Sequence, residues 1–144
     1  MTARFAVEAD GGSRGNPGPA AYGAVVFADG VPVRELAAAI GTATNNVAEY
    51  RSVVAALEWI AAHVADSDAL VEVRMDSRLV VEQMSGRWRI KHPDMKSLAA
   101  RVRSAYRPEL VTFHWVPRSA NQAADALVNE VLDAGPTTVI DRAP

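Results

Sequence analysis

Residues 11–20, GGSRGNPGPA, constrain this chain more than any other stretch. No helix tolerates four glycines and two prolines in ten residues. Ahead of it, residues 4–10 (RFAVEAD) alternate, with Phe5, Val7 and Ala9 against Ala6, Glu8 and Asp10, which is the period of a strand. Behind it, AYGAVVFADG and VPVRELAAAIG flank Asp29-Gly30, a type I′ hairpin signal. The first forty residues therefore read as a three-strand antiparallel meander whose third strand runs parallel to its first.

Helical periods take over next. Val47, Tyr50, Val54, Leu57, Ala61 and Val64 recur at helical spacing behind Asn46, a good N-cap, and residues 65–68 (ADSD) close that helix. LVEVRMD predicts a strand with Val71, Val73 and Met75 on one face. Ser77 to Met84 predicts a short helix ended by Ser85-Gly86. Residues 94–107 predict another helix that stops at Pro108, and LVTFHWVP predicts a fifth strand. Ser119 can cap a last helix carrying Ala123, Ala124, Leu127, Val128, Val131 and Leu132, which ends at Gly135-Pro136. The rest, TTVIDRAP, shows no partner pattern. The expected division is one domain over 1–134 and a tail, or the start of an interdomain linker, over 135–144. The order βββαβααβα makes the fold class α/β, because helices joining strands three to four and four to five imply parallel crossovers.

Four acids fall at informative places in that order. Asp10 ends the first strand and Asp76 the fourth. Glu49 is expected in the first turn of the long helix, and Asp125 in the second turn of the last one, just past the fifth strand. If strands one and four are parallel neighbours, about 4.8 Å apart, all four acids collect at the carboxyl edge of the sheet. Each has a duller role open to it. Asp10 suits a turn before Gly-Gly, Glu49 suits a capping box with Asn46, Asp76 suits an N-cap, and Asp125 suits a solvated helix position. The shared edge is what those separate roles leave unexplained. Clustered carboxylates either hold protons or recruit a cation. With no cysteine and no clustered histidine, the donor set favours a hard ion, Mg²⁺ or Mn²⁺. Two such ions would clamp the attacking and leaving oxygens of a phosphodiester.

The segments ADGGSRGNPGPAAYG, TNNVAEYRSVVAALEW, VRMDSRLVVEQMSG and VPRSANQAADALVNE resemble type 1 ribonuclease H, in family order and with each acid in place. The resemblance covers about residues 4–133. It implies a ribonuclease H-like fold, a five-stranded mixed sheet of order 3-2-1-4-5 with helices on both faces. It also implies hydrolysis of the RNA strand of an RNA–DNA hybrid, leaving 5′-phosphate and 3′-hydroxyl ends. By position, Asp10 would bridge two Mg²⁺ ions, with Mn²⁺ able to substitute. Asp125 would join it on the ion that activates water, and Glu49 and Asp76 on the ion facing the leaving oxygen. Gly11, Gly12 and Ser13 would approach the RNA strand through their backbone. Asn45 would lie near the RNA minor-groove edge, and Thr44 and Asn46 would grip a DNA phosphate. Thr44-Asn45-Asn46 can equally be read as a loop ending in an N-cap. Asn16 reads as a turn residue.

Three departures from the family pattern carry expectations of their own. Arg78 stands near the RNA where many bacterial members have Gln. As a substrate-binding candidate its guanidinium can contact a phosphate or a 2′-oxygen but cannot accept a hydrogen bond, so looser discrimination against other duplexes is expected, with double-stranded RNA left open as a second partner. The loop Val116–Ala120 lacks the family's mobile histidine, which leaves Arg118 as the group expected to assist turnover. His114 reads as structural, between core-like Phe113 and Trp115. The family's basic protrusion is short here. Residues 85–107 nevertheless hold seven basic side chains (Arg87, Arg89, Lys91, Lys96, Arg101, Arg103 and Arg107) against Asp94, a local +6 in a chain of net charge −2. Trp88 sits between two of those cations and suits a nucleic-acid backbone, or alternatively the core. The alternative function is a weakly active or inactive hybrid-binding module of the same fold. With no cysteine, no apolar run of about 20 residues and a polar start, no membrane partner is expected and the cytoplasm is the expected setting. The ending also suits fusion to a C-terminal domain, an arrangement in which some bacterial members carry an acid-phosphatase-like partner.

Overall fold

The computed structural model of the chain describes residues 4–63 and 68–144. The meander forms as its turn chemistry requires: β1 (Arg4–Ser13), β2 (Gly18–Ala28) and β3 (Val31–Ala43) pair antiparallel in sequence. Asp29 and Gly30 both have positive φ, at 47° and 83°, as a type I′ turn demands. β1 runs three residues beyond the expected stop at Asp10. The long helix α1 (Asn45–His63) then crosses to β4 (Leu70–Met75), which lies parallel to β1. After α2 (Arg78–Met84) and α3 (Pro93–Ala105), β5 (Val111–Trp115) adds parallel to β4.

The sheet has six strands, not the expected five. After α4 (Gln122–Ala134), residues Val139–Arg142 form β6, antiparallel to β3, so the order is β5-β4-β1-β2-β3-β6. The tail therefore does have a partner. The open edge of β3 has backbone groups to satisfy, Thr-Thr-Val-Ile is a β-favouring run, and Ile140 is buried beside Ala37 and Val131. Arg142 ties the new strand down, bonding Glu35 of β3 and Glu130 of α4.

Helices cover both faces, and the core divides accordingly. Phe5, Val7 and Ala9 of β1 and Val71, Val73 and Met75 of β4 pack under α1, which buries Tyr50, Val53, Val54, Leu57 and Ile60. Ala61, expected on that face, is exposed, and Val64 with residues 65–67 lies outside the described residues. Met95, Leu98, Ala99 and Val102 of α3 close the same core. On the other face, α4 packs Leu127, Val128 and Val131 onto Ala21, Val25 and Ala37.

Two caps differ from expectation. Thr44, not Asn46, caps α1, accepting the Val47 N–H at 3.3 Å on its hydroxyl. The helix thus begins earlier and Glu49 falls in its second turn. Asn121, not Ser119, is the N-cap of α4; Ser119 sits in a one-turn 3₁₀ helix, Arg118–Ala120. Asp125 consequently lies in the first turn of α4. Among the described residues, no helix is long and apolar enough to cross a membrane.

Candidate active site

Two missing side chains place the acids. Gly11 follows Asp10 on β1, and a Cβ there would lie 2.2 Å from the Ala48 carbonyl carbon and 2.3 Å from the Glu49 nitrogen. Only glycine lets α1 come this close, and the approach brings Glu49 over the end of β1. Gly23 sits directly opposite Asp10 on β2. A Cβ there would lie 2.6 Å from the Ala124 carbonyl oxygen, so this glycine admits the first turn of α4, with Asp125, from the other face. Asp76 arrives at the carboxyl end of β4, beside β1.

All four acids line one cavity of about 330 Å³, together with Gly11, Gly12, Ser13, Asn45 and Arg118. Among the described residues no three metal-ligating side chains are gathered tightly enough to enclose an ion as they stand; the acids face a shared space. Asp10 is buried, and its carboxyl is hydrogen-bonded to that of Asp125. Loss of solvent first, then the charge of Asp76 and the contact with Asp125, push Asp10 up to about 8. Burial likewise raises Glu49 to about 7, opposed by a hydrogen bond from Ser77 and reinforced by the charge of Asp76. Three of the duller roles do not survive this geometry, while Asp125 keeps a partly solvated helix position as well as a place on the cavity wall. Asp10 is a strand residue, Ser77 rather than Asp76 caps α2, and Glu49 is not paired with a cap. A cluster of hard oxygen donors that must hold protons when alone fits divalent cations.

Two supporting residues were visible in the sequence only as motif letters, Ser77 in Asp-Ser and Asn121 in Asn-x-x-x-Asp. The Ser77 hydroxyl accepts the Val80 N–H at 3.3 Å and serves Glu49. Asn121 is 1% exposed. Its Nδ2 donates to the Ala9 carbonyl at 2.8 Å and to Asp76 Oδ1 at 3.2 Å, while its backbone carbonyl accepts the Asp125 N–H. One residue, through its side chain and its backbone, thereby links three acid-bearing elements. Its Oδ1 is buried without a protein partner.

The candidate substrate residues divide between two places. Gly11, Gly12, Ser13, Asn45 and Arg118 line the cavity. The Asn45 side-chain Oδ1 accepts from the Ser13 N–H at 2.8 Å, and the Oδ1 of Asn16, more than a turn residue, accepts the Asn45 backbone N–H at 3.0 Å. Arg118 is largely exposed and reaches Asp125 at 4.0 Å. Thr44, Asn46 and Trp88 instead line an open groove between α1, α2 and α3, with Arg87, Arg89, Lys91 and Arg101. Trp88 is 47% exposed, which removes its core reading. The local cation excess is smaller than the sequence count, because Arg87 pairs with Glu82, and Arg107 with Asp68 and Glu109. Arg78 lines neither space. The flank of His114 is core-like on one side only: Phe113 packs against the core, whereas His114 and Trp115 are exposed, the latter 43%. His114 contacts Thr112 and Glu72 instead.

Residues 8–131 match a family model described as reverse transcriptase-like. The bifunctional protein Rv2228c of Mycobacterium tuberculosis is 52% identical over 134 residues, 91% of this chain and 36% of that protein. The chain thus spans about a third of the length of that relative. Ribonuclease HI of Halobacterium salinarum is 47% identical over 131 residues, 86% of this chain and 62% of that protein. Among solved structures, the N-terminal RNase H domain of Rv2228c superposes with a TM-score of 0.84 at 47% identity, covering 92% of this chain and 96% of that one. LC11-RNase H1 in complex with an RNA/DNA hybrid superposes with a TM-score of 0.86 at 41% identity, covering 91% and 98%.

Proposed function

Because this chain belongs to the reverse transcriptase-like family, in its ribonuclease H branch, we propose that it is an endonuclease that hydrolyses the RNA strand of RNA–DNA hybrids. The carrying observation is the shared cavity of Asp10, Glu49, Asp76 and Asp125, with a proton-retaining Asp10 at its floor. These four acids would hold two Mg²⁺ ions, or Mn²⁺ in their place. Bound there, the cations supply positive charge to the attacking and leaving oxygens of a phosphodiester.

The chain's own groups do the rest. The acids set where that charge sits, and Asn121 and Ser77 hold Asp76 and Glu49 in orientation. A water molecule adds at phosphorus as the bond to the 3′ oxygen breaks, giving 5′-phosphate and 3′-hydroxyl ends. Among the described residues no histidine lines the cavity, and the proposal assigns no imidazole as base. Gly12 has room for a ligand, since a Cβ there would meet only Val128 Cγ1, at 3.6 Å. Asn45 and the 11–13 backbone contact the RNA strand, whose 2′-hydroxyl both donates and accepts. Thr44, Asn46 and Trp88 take the DNA strand along the groove. The relative solved with a hybrid supports this assignment. The cytoplasm is the setting we propose, and the larger M. tuberculosis relative supports a further domain in the full-length protein.

The test compares cutting of labelled hybrid, double-stranded RNA and single-stranded RNA, with Mg²⁺ and with chelator. The proposal expects Mg²⁺-dependent cutting of the hybrid's RNA strand. Hybrid binding without cutting would convert the reading to a binding module, and cutting in chelator would remove the metal mechanism.

A further inference from the structure

Trp115 is the last residue of β5, and its placement is unusual for a large aromatic side chain. It lies at the sheet edge that bears Asp76 and remains 43% exposed. Its indole N–H donates to the backbone carbonyl of Asp76 at 3.3 Å. The guanidinium carbon of Arg78 sits 4.5 Å from the centroid of its ring. One side chain therefore touches both the acid-bearing residue and the cation two residues after it.

Arg78 itself is exposed and has no ion-pair partner among the described residues. It is the first residue of α2, which a cation would not choose, since a helix start is electropositive. A long exposed side chain in that position would ordinarily sample many rotamers. Its position over the indole face limits that sampling, and although its charge is felt at Glu82 one turn along α2, its N–H donors remain available to a ligand. The pair is thus a cation held ready on the outer flank of Asp76, outside both the cavity and the groove.

Resting on the proposed nuclease function, we infer that Trp115 is a positioning residue for substrate. It holds the Arg78 guanidinium against the sugar–phosphate backbone of the strand being cleaved, on the Asp76 side of the cut. The ligand chemistry follows from the donor: five N–H groups and no acceptor suit phosphate oxygens or a 2′-oxygen acting as acceptor. The indole N–H contributes separately by tethering the Asp76 backbone.

Four proteins test this in hybrid cleavage at saturating Mg²⁺ and in hybrid binding over a salt series: wild type, Trp115→Leu, Trp115→Phe and Arg78→Ala. Trp115→Leu is expected to raise KM roughly threefold to tenfold, with a smaller fall in kcat. It should also lower the salt slope of binding as Arg78→Ala does, by about one phosphate contact. Trp115→Phe keeps a ring under the guanidinium without the N–H, and is expected to recover most of the KM and the salt slope. The double variant Trp115→Leu/Arg78→Ala should be little worse than Trp115→Leu alone, since the guanidinium contact is already lost there. Thermal unfolding of each variant separates this from general damage, which would lower Tm without a KM-specific effect. An unchanged KM and salt slope in Trp115→Leu, a loss in Trp115→Phe as large as in Trp115→Leu, or additive losses in the double variant would each overturn the inference. Failure of wild type to cut or bind hybrid would instead overturn the function it rests on.

Discussion

The acid-lined cavity and the basic groove meet at three consecutive residues, with Asn45 facing the cavity and Thr44 and Asn46 facing the groove, yet they are built on opposite terms. In the cavity, charges of one sign are brought together and partly dried. They are held there by backbone, through two glycines that admit α1 and α4 and one buried Asn121. In the groove, Arg89, Lys91 and Arg101 stand exposed on long side chains. Repulsion stored in a rigid place is what gives a site its demand for a particular cation. Attraction spread over mobile cations gives affinity with little geometry. The difference teaches that cutting and holding are separable here, and separate substitutions should reveal it.

The largest effect belongs to Asp10→Asn. Asp10 is the most buried of the four acids and faces both Asp76 and Asp125, so cleavage of hybrid is expected to fall about a thousandfold or more, while hybrid binding survives. The same change should stabilise the cation-free protein at pH 8, since it deletes a desolvated charge repelled by Asp76. Retained cleavage, or a loss of binding equal to the loss of cutting, would break the separation of the two regions.

A smaller effect, on stability, comes from pH. Asp10 titrates near 3.8 when exposed and is raised to about 8 in the fold; Glu49 is raised from 4.5 to about 7. Between those limits the folded state holds more protons than the unfolded one. The contribution to stability is therefore complete below about pH 4 and is lost as pH rises through 7 to 8. Without cations, Tm should drop by several degrees from pH 5 to pH 8, and added Mg²⁺ should restore it at pH 8 but hardly at pH 5. A flat Tm across that range would mean the acids are better solvated than the cavity implies.

This contrast also explains what the sequence made legible. The cavity could be read because its determinants are local and repeated. Asp10, Glu49, Asp76 and Asp125 each sit near the end of an element whose period or turn residues are plain. Ser77 and Asn121 were recognisable only as motif members, since no periodicity tells a buried amide from an exposed one. Gly11 reads in the sequence as room for RNA; the structure adds that its missing side chain makes room for α1, a tertiary contact across 37 residues of chain that no local pattern reports. The sixth strand was missed for a similar reason. Four residues at a chain end give too short an alternation, and their partner, the edge of β3, is a property of the assembled sheet. Trp115 was expected in the core because aromatic strand residues usually are buried; at the last residue of an edge strand that rule loses its partner layer.

The smallest effect probes the groove. Arg101 lines it, on the exposed face of α3. Arg103 is exposed on the same helix, close enough to Tyr50 for its charge to be felt there, but it does not line the groove. Arg101→Ala with Arg103→Ala is therefore expected to weaken hybrid binding a few-fold. The slope of log affinity against log salt should fall by about one rather than two, because each phosphate neutralised contributes roughly 0.9. Arg101→Ala alone should account for most of that change. An unchanged slope would take α3 off the binding surface and leave Thr44, Asn46 and Trp88 to hold the second strand without it. A fall of two would bring Arg103 onto the path of the phosphates and make the groove wider than its lining residues suggest. Either way KM should move more than kcat, because no cation on α3 shares a wall with the four acids. A change confined to kcat would tie the groove to the cavity after all.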